Sequence, residues 1–249
     1  MHTDIDEVTA GIYRLSTYVE EVDFTFNQYL IDADQPLLFH CGMRALFPVI
    51  SAAVPQVMPL TRLRWISFGH WEADESGAMN DWLEAASEAQ VAVGTIGCML
   101  SVNDLAVRPP KPLEDEESLD LGGKRVRYLA TPHVPHGWDA GVLFEETSKT
   151  LFCGDLFTRT GRCEAISEDD PIAPALAVED TFGATALTPN TAPTIRRLAA
   201  LKPEMLALMH GAAFRGDCER ALLTLADSYE ERFKRVRTSK KDGISSRFR

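Results

Sequence analysis

The sequence predicts an α+β domain in which β-sheets are covered by helices. Short runs of aromatic and β-branched residues alternate with stretches of helical periodicity, and neither an internal repeat nor a long low-complexity linker interrupts them. The chain has 249 residues, of which 45% are hydrophobic, so it can bury a core without disulfides. We therefore expect one domain over residues 1–236, followed by a basic tail over 237–249.

The predicted elements follow in order along the chain. Strand-like segments, separated by turn residues, lie at 12–18, 26–31, 37–39, 63–68, 91–93, 125–130, 141–145 and 150–153. Helical spacing predicts helices over 43–53, 77–89, 191–201 and 217–236, with a short apolar run at 205–209. The segment 164–190 has weak periodicity and is too long for a simple connection, so we expect a lid over a site.

The charge and hydropathy of the chain exclude several classes of protein. A formal net charge of −12 argues against a general nucleic-acid binder, because phosphate contacts need a basic face. No apolar run approaches the ~20 residues of a membrane helix, and the acidic first residues do not resemble a secretory signal. The cysteines are five in number and form no Cys-x-x-Cys pair. We expect reduced thiols in a cytoplasmic protein.

The C-terminal end differs in charge from the rest of the chain. From Arg232 onwards there are eight basic residues and one acidic residue. Two interpretations stay open: a solvated, frayed terminus, or a contact with an acidic surface on a neighbouring subunit.

Metal-capable side chains gather where predicted strands end. His70, Glu72 and Asp74 form a His-x-Glu-x-Asp motif after the strand at 63–68, and in a loop they can converge on one point. Three further candidates follow later strands or apolar runs, namely His136, Asp155 and His210. Because chemistry on a β scaffold gathers in such loops, these residues predict a metal site.

The order and spacing of these residues resemble the metallo-β-lactamase fold, and within it the diiron core of flavodiiron proteins. Asp74 and His136 are separated by 61 residues, His136 and Asp155 by 18, and Asp155 and His210 by 54. The first gap fits that family, the second matches it and the third is a few residues short. The similarity extends over about 12–211 and includes the runs 26–31 and 74–77. It implies an αββα sandwich of two mixed β-sheets flanked by helices.

The resemblance also implies a set of ligands. His70, Glu72 and His136 would hold one metal ion, Asp74 and His210 the other, and Asp155 would bridge them. Asp74 and Asp155 are then the residues expected to act in catalysis. Three carboxylates and three imidazoles for two ions favour iron over the nitrogen-rich zinc sites of hydrolytic members, with manganese or zinc as alternatives.

Five more residues lie beside these motifs, and their roles stay open. Glu75 stands where many flavodiiron proteins have His, so the second ion gains a carboxylate or keeps an open position. His40 stands where that family usually has Asp, and is a satisfied buried histidine or a site residue. His133 is an orienting neighbour, a structural residue or an alternative ligand. Trp71 and Trp138 either pack or form walls that exclude water around a diatomic ligand.

Three functions compete at this point. The resemblance implies an oxidoreductase or sensor that binds O₂ or NO between two ferrous ions. Nothing after His210 resembles a flavodoxin phosphate loop, so we expect no flavin on the chain and a separate electron-donor protein or signalling partner, with a homodimer as an open alternative. The second function is a binuclear metallohydrolase that uses metal-bound hydroxide on an ester, thioester, lactone or phosphodiester, with Asp74 orienting it. The third is a scaffold with a degenerate site.

Overall fold

Two β-sheets of seven strands each form the centre of the fold. The computed structural model describes residues 1–245, with side chains through residue 237. The first sheet has the order β1-β2-β3-β4-β5-β6-β7, antiparallel from β1 to β4 and parallel from β4 to β7. Its strands are β1 Thr3–Thr9, β2 Ile12–Val19, β3 Phe24–Ile31, β4 Leu37–Phe39, β5 Trp65–Ser67, β6 Gln90–Gly94 and β7 Lys111–Leu113.

The second sheet is built from the second half of the chain. Its strands are β8 Ser118–Asp120, β9 Arg125–Ala130, β10 Gly141–Glu145, β11 Thr150–Phe152, β12 Ile166–Ser167, β13 Met205–Ala207 and β14 Ala213–Phe214. They lie in the order β12-β14-β13-β11-β10-β9-β8. The pairs β11–β13 and β12–β14 are parallel and the other pairs are antiparallel, so this sheet is mixed as well.

Helices cover the outer faces of both sheets. They are α1 Phe47–Ala53, α2 Ala73–Ser76, α3 Met79–Ala85, α4 Thr95–Gly97, α5 Asn103–Leu105, α6 Ile172–Phe182, α7 Thr191–Ala199 and α8 Cys218–Ser245. One hydrophobic cluster joins α1 and α3 to the first sheet and includes the fully buried Trp82. A second cluster joins α6, α7 and α8 to the second sheet. None of the helices in the described part of the chain is long and apolar enough to cross a membrane.

A third hydrophobic cluster lies between the two sheets. Tyr29 and Phe39 of the first sheet place their rings 5.5 and 5.4 Å from the ring of Phe152 in the second. Helix, sheet, sheet and helix thus form four layers, which confirms the predicted αββα sandwich.

The boundaries differ from the prediction mainly at helices. The helix predicted over 43–53 begins as a 3₁₀ turn at Arg44–Leu46 and becomes α-helical only at Phe47. The helix predicted over 77–89 spans Met79–Ala85. The last helix continues to Ser245, so its backbone enters the predicted tail, while residues 246–249 and the side chains from 238 lie outside the described residues.

Close approach of the sheets near β6 depends on glycine. A Cβ on Gly94 would collide with the Tyr128 hydroxyl and lie 2.6 Å from the ring carbon that carries it. We expect Gly94→Ala to lower the free energy of unfolding by about 1–3 kcal/mol through overpacking. The measurement is urea denaturation.

Gly97→Ala is the matched control for this prediction. A Cβ there would meet Asp139 at 3.7 Å, an ordinary contact, and we expect a change within about 0.5 kcal/mol. Equal effects of the two substitutions would contradict the proposed overpacking at Gly94.

Candidate metal centre

The predicted ligands lie in four loops at one end of the two sheets. His70 and Glu72 follow β5 and Asp74 lies in α2, whereas His136 follows β9, Asp155 follows β11 and His210 follows β13. The Gly141 amide donates to the Gly69 carbonyl at 2.8 Å and so joins the two sheets, and the Met209 amide donates to the Gly154 carbonyl at 3.2 Å within the second sheet. The fold therefore brings residues from both halves of the chain to one place.

Four of these residues form one compact group. The candidate ligand atoms of His70, Glu72, His136 and Asp155 lie within 4.8 Å of one another. Glu72 Oε2 is 3.0 Å from His70 Nε2 and 3.3 Å from His136 Nε2. Asp155 Oδ2 lies 3.6 and 3.5 Å from the same two nitrogens. Two imidazoles and two carboxylates thus face a common centre.

A second group lies beside the first and shares Asp155. His210 Nε2 is 3.3 Å from Asp74 Oδ2 and 3.4 Å from Asp155 Oδ1. Asp155 therefore directs Oδ2 towards the first group and Oδ1 towards the second. The structure therefore brings the six side chains together as two adjacent groups that share Asp155, and their assignment as ligands stays a prediction.

In two of the imidazoles, Nδ1 contacts an oxygen on the side away from the group of carboxylates. This contact fixes the direction in which Nε2 points. His210 Nδ1 lies 3.0 Å from the Thr25 carbonyl, and His70 Nδ1 lies 3.2 Å from Glu75 Oε1. The Thr25 carbonyl requires a proton on Nδ1 of His210, and the negative charge of Glu75 favours one on Nδ1 of His70. In the neutral rings Nε2 then carries the lone pair that faces the carboxylates. Asp155 Oδ1 is buried without a hydrogen bond. Nitrogen lone pairs and carboxylate oxygens directed at one point fit a bound cation.

The charged side chains of the site strongly shift one another's pKa values. Burial lowers the pKa of His70, but the carboxylates of Glu75 and Glu72 outweigh it and raise the pKa to about 12. Burial opposes protonation of His210 as well, while Asp155 and Asp74 raise its pKa to about 10. Hydrogen bonds with His136 and His70 hold the pKa of Glu72 well below its usual range. A metal ion that binds here must displace imidazole protons.

A family model described as "ODP family beta lactamase" matches residues 24–211. The chain belongs to the ODP beta-lactamase family. The rubredoxin-oxygen oxidoreductase of Megalodesulfovibrio gigas is 22% identical to it over 200 residues, which are 77% of this chain and 50% of that protein. This ODP-family chain thus spans half of that relative.

Solved structures share the fold of this ODP-family chain. Rubredoxin oxygen:oxidoreductase from Desulfovibrio gigas has a TM-score of 0.79 at 19% identity, over 91% of this chain and 62% of that one. The flavodiiron protein from Giardia intestinalis has a TM-score of 0.77 at 15% identity, over 92% of this chain and 60% of that one. These likenesses confirm the fold expected from the resemblance to flavodiiron cores.

Two of the residues whose roles were open lie behind the ligands of the ODP-family chain. Glu75 is fully buried and contacts His70 from the side opposite the metal group, so its carboxylate does not face the second group. His40 is also fully buried, with Nε2 3.6 Å from Glu75 Oε1. Burial lowers the pKa of His40 despite the nearby carboxylates.

The other three open residues lie nearer the surface. His133 is exposed and is not part of the group whose ligand atoms converge. Trp138 is 67% exposed, and Trp71 packs edge-on against Phe68 with 5.9 Å between the rings. Neither tryptophan is among the residues that line the cavity in front of the site.

That cavity has a volume of about 440 Å³ and largely apolar walls. On one side it is bounded by the proposed ligands Glu72, Asp74, His136, Asp155 and His210. Helix α6, within the segment predicted to be a lid, forms another wall with residues that include Val178 and Phe182. The rings of Phe24 and Phe26 meet His210 edge-on at 5.4 and 5.2 Å.

Sequence reasoning did not identify the residues of β3 that support His210. Asn27 Nδ2 donates to the carbonyls of Leu208 and Gly211 at 2.8 and 2.7 Å, on either side of the histidine. The run 26–31 was part of the resemblance, but its spacing carried no information about which loop it contacts. The polar Asn27 and Gln28 within an otherwise apolar strand were the available signal.

Asn27→Ala tests this support. Loss of two buried hydrogen bonds is expected to lower the free energy of unfolding by about 1–3 kcal/mol, measured by urea denaturation with chelator present. Asn80 also donates to a carbonyl, that of Leu105, but near the surface. We expect Asn80→Ala to cost well under about 1 kcal/mol, and a larger loss there than at Asn27 would contradict this account.

Proposed function

We propose that this chain holds two iron ions and binds or reduces O₂ or NO between them. One observation carries the proposal: the carboxylate of Asp155 directs one oxygen to each of two adjacent imidazole–carboxylate groups. A single carboxylate placed in this way is suited to bridge two cations. The family match and the named oxidoreductase relative support the same conclusion.

The distances between the side chains assign the proposed ligands to two ions. His70, Glu72 and His136 would hold one ion, Asp74 and His210 the other, and Asp155 both. When bound, two ferrous ions supply electrons to a diatomic ligand. Three carboxylates among six ligands favour iron or manganese over zinc, because hard oxygen donors suit those ions.

The remaining residues of the site control access. Phe24, Phe26 and Phe182 line the cavity and reduce the water that reaches the polar wall. An apolar chamber of this kind admits a small uncharged gas without the loss of hydrogen bonds that a polar substrate would suffer. Asp74 and Asp155 are the proposed catalytic residues, since both face the cavity and the metal position.

We propose that the electrons come from another protein. The M. gigas relative is named for rubredoxin and oxygen, and half of its length has no counterpart in this chain. We place the reductant on a separate electron-donor protein, without a flavin bound by this chain. Reversible binding without turnover would instead need a signalling partner. We propose a cytoplasmic protein without a nucleic-acid or membrane partner. A homodimer stays an open alternative.

Metal content tests the ligand assignment. Protein expressed with added iron and purified without chelator is expected to contain about two irons per chain, measured by plasma mass spectrometry. We expect His136→Ala to lose iron, whereas His133→Ala should retain it, because only the former side chain joins the group. Equal retention in both variants would refute the assignment of His136.

Gas binding tests the function. Anaerobic ferrous protein is expected to change its optical spectrum on addition of O₂ or NO, and Asp155→Ala is expected to abolish the change together with the second iron. A fully iron-loaded sample that shows no spectral change with either gas would contradict the proposal.

A second function has one observation in its favour, the size of the cavity. A volume of about 440 Å³ exceeds what a diatomic gas needs and suits a small organic substrate. A metallohydrolase would use it to hold an ester, thioester, lactone or phosphodiester beside metal-bound hydroxide. Cleavage of any member of such a panel, abolished by Asp74→Ala, would support hydrolysis. Complete inactivity of metal-loaded protein would exclude it for those substrates.

A further inference from the structure

Glu75 is a fully buried carboxylate that faces two backbone amides and two imidazoles. Its Oε2 accepts from the backbone amides of Gly69 and His70, the latter at 2.9 Å. Its Oε1 lies 3.2 Å from His70 Nδ1 and 3.6 Å from His40 Nε2. The side chain is fully buried, so no water replaces any of these partners. Oε2 is thus satisfied by two backbone amides, and Oε1, which makes no hydrogen bond, lies within ion-pair distance of His70 Nδ1.

The backbone is arranged to let this carboxylate approach. A Cβ on Gly69 would lie 2.9 Å from Glu75 Oε2 and 2.9 Å from the Gly141 carbonyl, so a side chain there would push the carboxylate away. The Cys41 amide donates to the Glu75 carbonyl at 2.6 Å, which fixes α2 against the loop after β4. The position of Glu75 is therefore determined on both of its sides.

His40 lies behind the carboxylate. Its backbone has φ of +68°, in the left-handed region that residues other than glycine rarely occupy. Its Nδ1 lies 3.3 Å from the Asn27 carbonyl, which turns Nε2 towards Glu75. The side chains of His40 and Glu75, two of the residues whose roles the sequence left open, therefore face each other.

We propose that Glu75 is a positioning residue that acts through His70. Its carboxylate keeps the proton of His70 on Nδ1 and fixes the ring so that Nε2 faces Glu72 and Asp155, at 3.0 and 3.6 Å. This inference rests on the proposed metal site. In this inference Glu75 orients the proposed ligand His70, and it is not itself a seventh ligand bound to the second ion.

The test is Glu75→Gln, with Co²⁺ as the probe. An amide replaces one accepting oxygen by N–H₂, so either the two backbone amides or the Nδ1–H of His70 faces a donor. We expect Co²⁺ affinity, followed by visible absorption, to fall by roughly 10–100-fold. We also expect the exchangeable Nδ1–H signal of His70 in the ¹H NMR spectrum of the Co²⁺ protein, assigned by its loss in His70→Ala, to shift and to exchange faster with water.

Glu145→Gln is the matched control. Glu145 is also fully buried and accepts from the amides of Thr147 and Ser148 at 3.0 and 2.7 Å, but it contacts no histidine and lies at the far end of β10. If Glu75 only stabilises its loop, both variants lose stability, and neither changes Co²⁺ affinity or the His70 signal. That result would overturn the inference.

Gly69→Ala provides a second variant with every charge retained. It moves the Glu75 carboxylate, so we expect weaker Co²⁺ binding and a shifted His70 signal here too. Wild-type affinity and an unchanged signal in a folded Glu75→Gln or Gly69→Ala protein would overturn the inference alone. Failure of the wild-type chain to bind Co²⁺ or iron would overturn the proposed function as well.

Discussion

The carboxylate of Asp155 occupies the position on which the rest of the site depends. It lies between three imidazoles, only 11% exposed, with one oxygen towards each group of proposed ligands. Several ionisable side chains can be buried together only where each one lies beside a group of opposite charge. The loops after β5, β9, β11 and β13 must therefore end at the same edge, and the four layers provide that edge.

The central strands could be predicted from sequence because composition alone distinguishes them. Segments 37–39, 125–130 and 141–145 were predicted with the bounds that the structure has. The peripheral strands were missed for physical reasons. Strand β1 carries acidic residues on an edge that faces solvent, and β12 and β14 have two residues each, so pairing with neighbours rather than local pattern defines them.

The candidate site, too, could be predicted only in part from the sequence. The motif, together with the resemblance that its spacing supports, predicted six side chains that the structure brings together, each after a recognisable strand or apolar run. The contacts behind them could not be predicted. Glu75 and His40 are 35 positions apart, and Asn27 supports a loop more than 180 residues away. The pairing of β4 with β5 creates the first contact and the packing of the two sheets creates the second, and no local pattern in the sequence records either.

The two proposed metal groups each take side chains from both sheets. His70, Glu72 and Asp74 come from the first half of the chain, and His136, Asp155 and His210 from the second. A cation at either position is therefore a cross-link between the halves, and separating the sheets requires releasing it. Occupancy of the site and cohesion of the sandwich are then thermodynamically linked: each increment of free metal stabilises the folded chain by mass action, and starvation for metal loosens it.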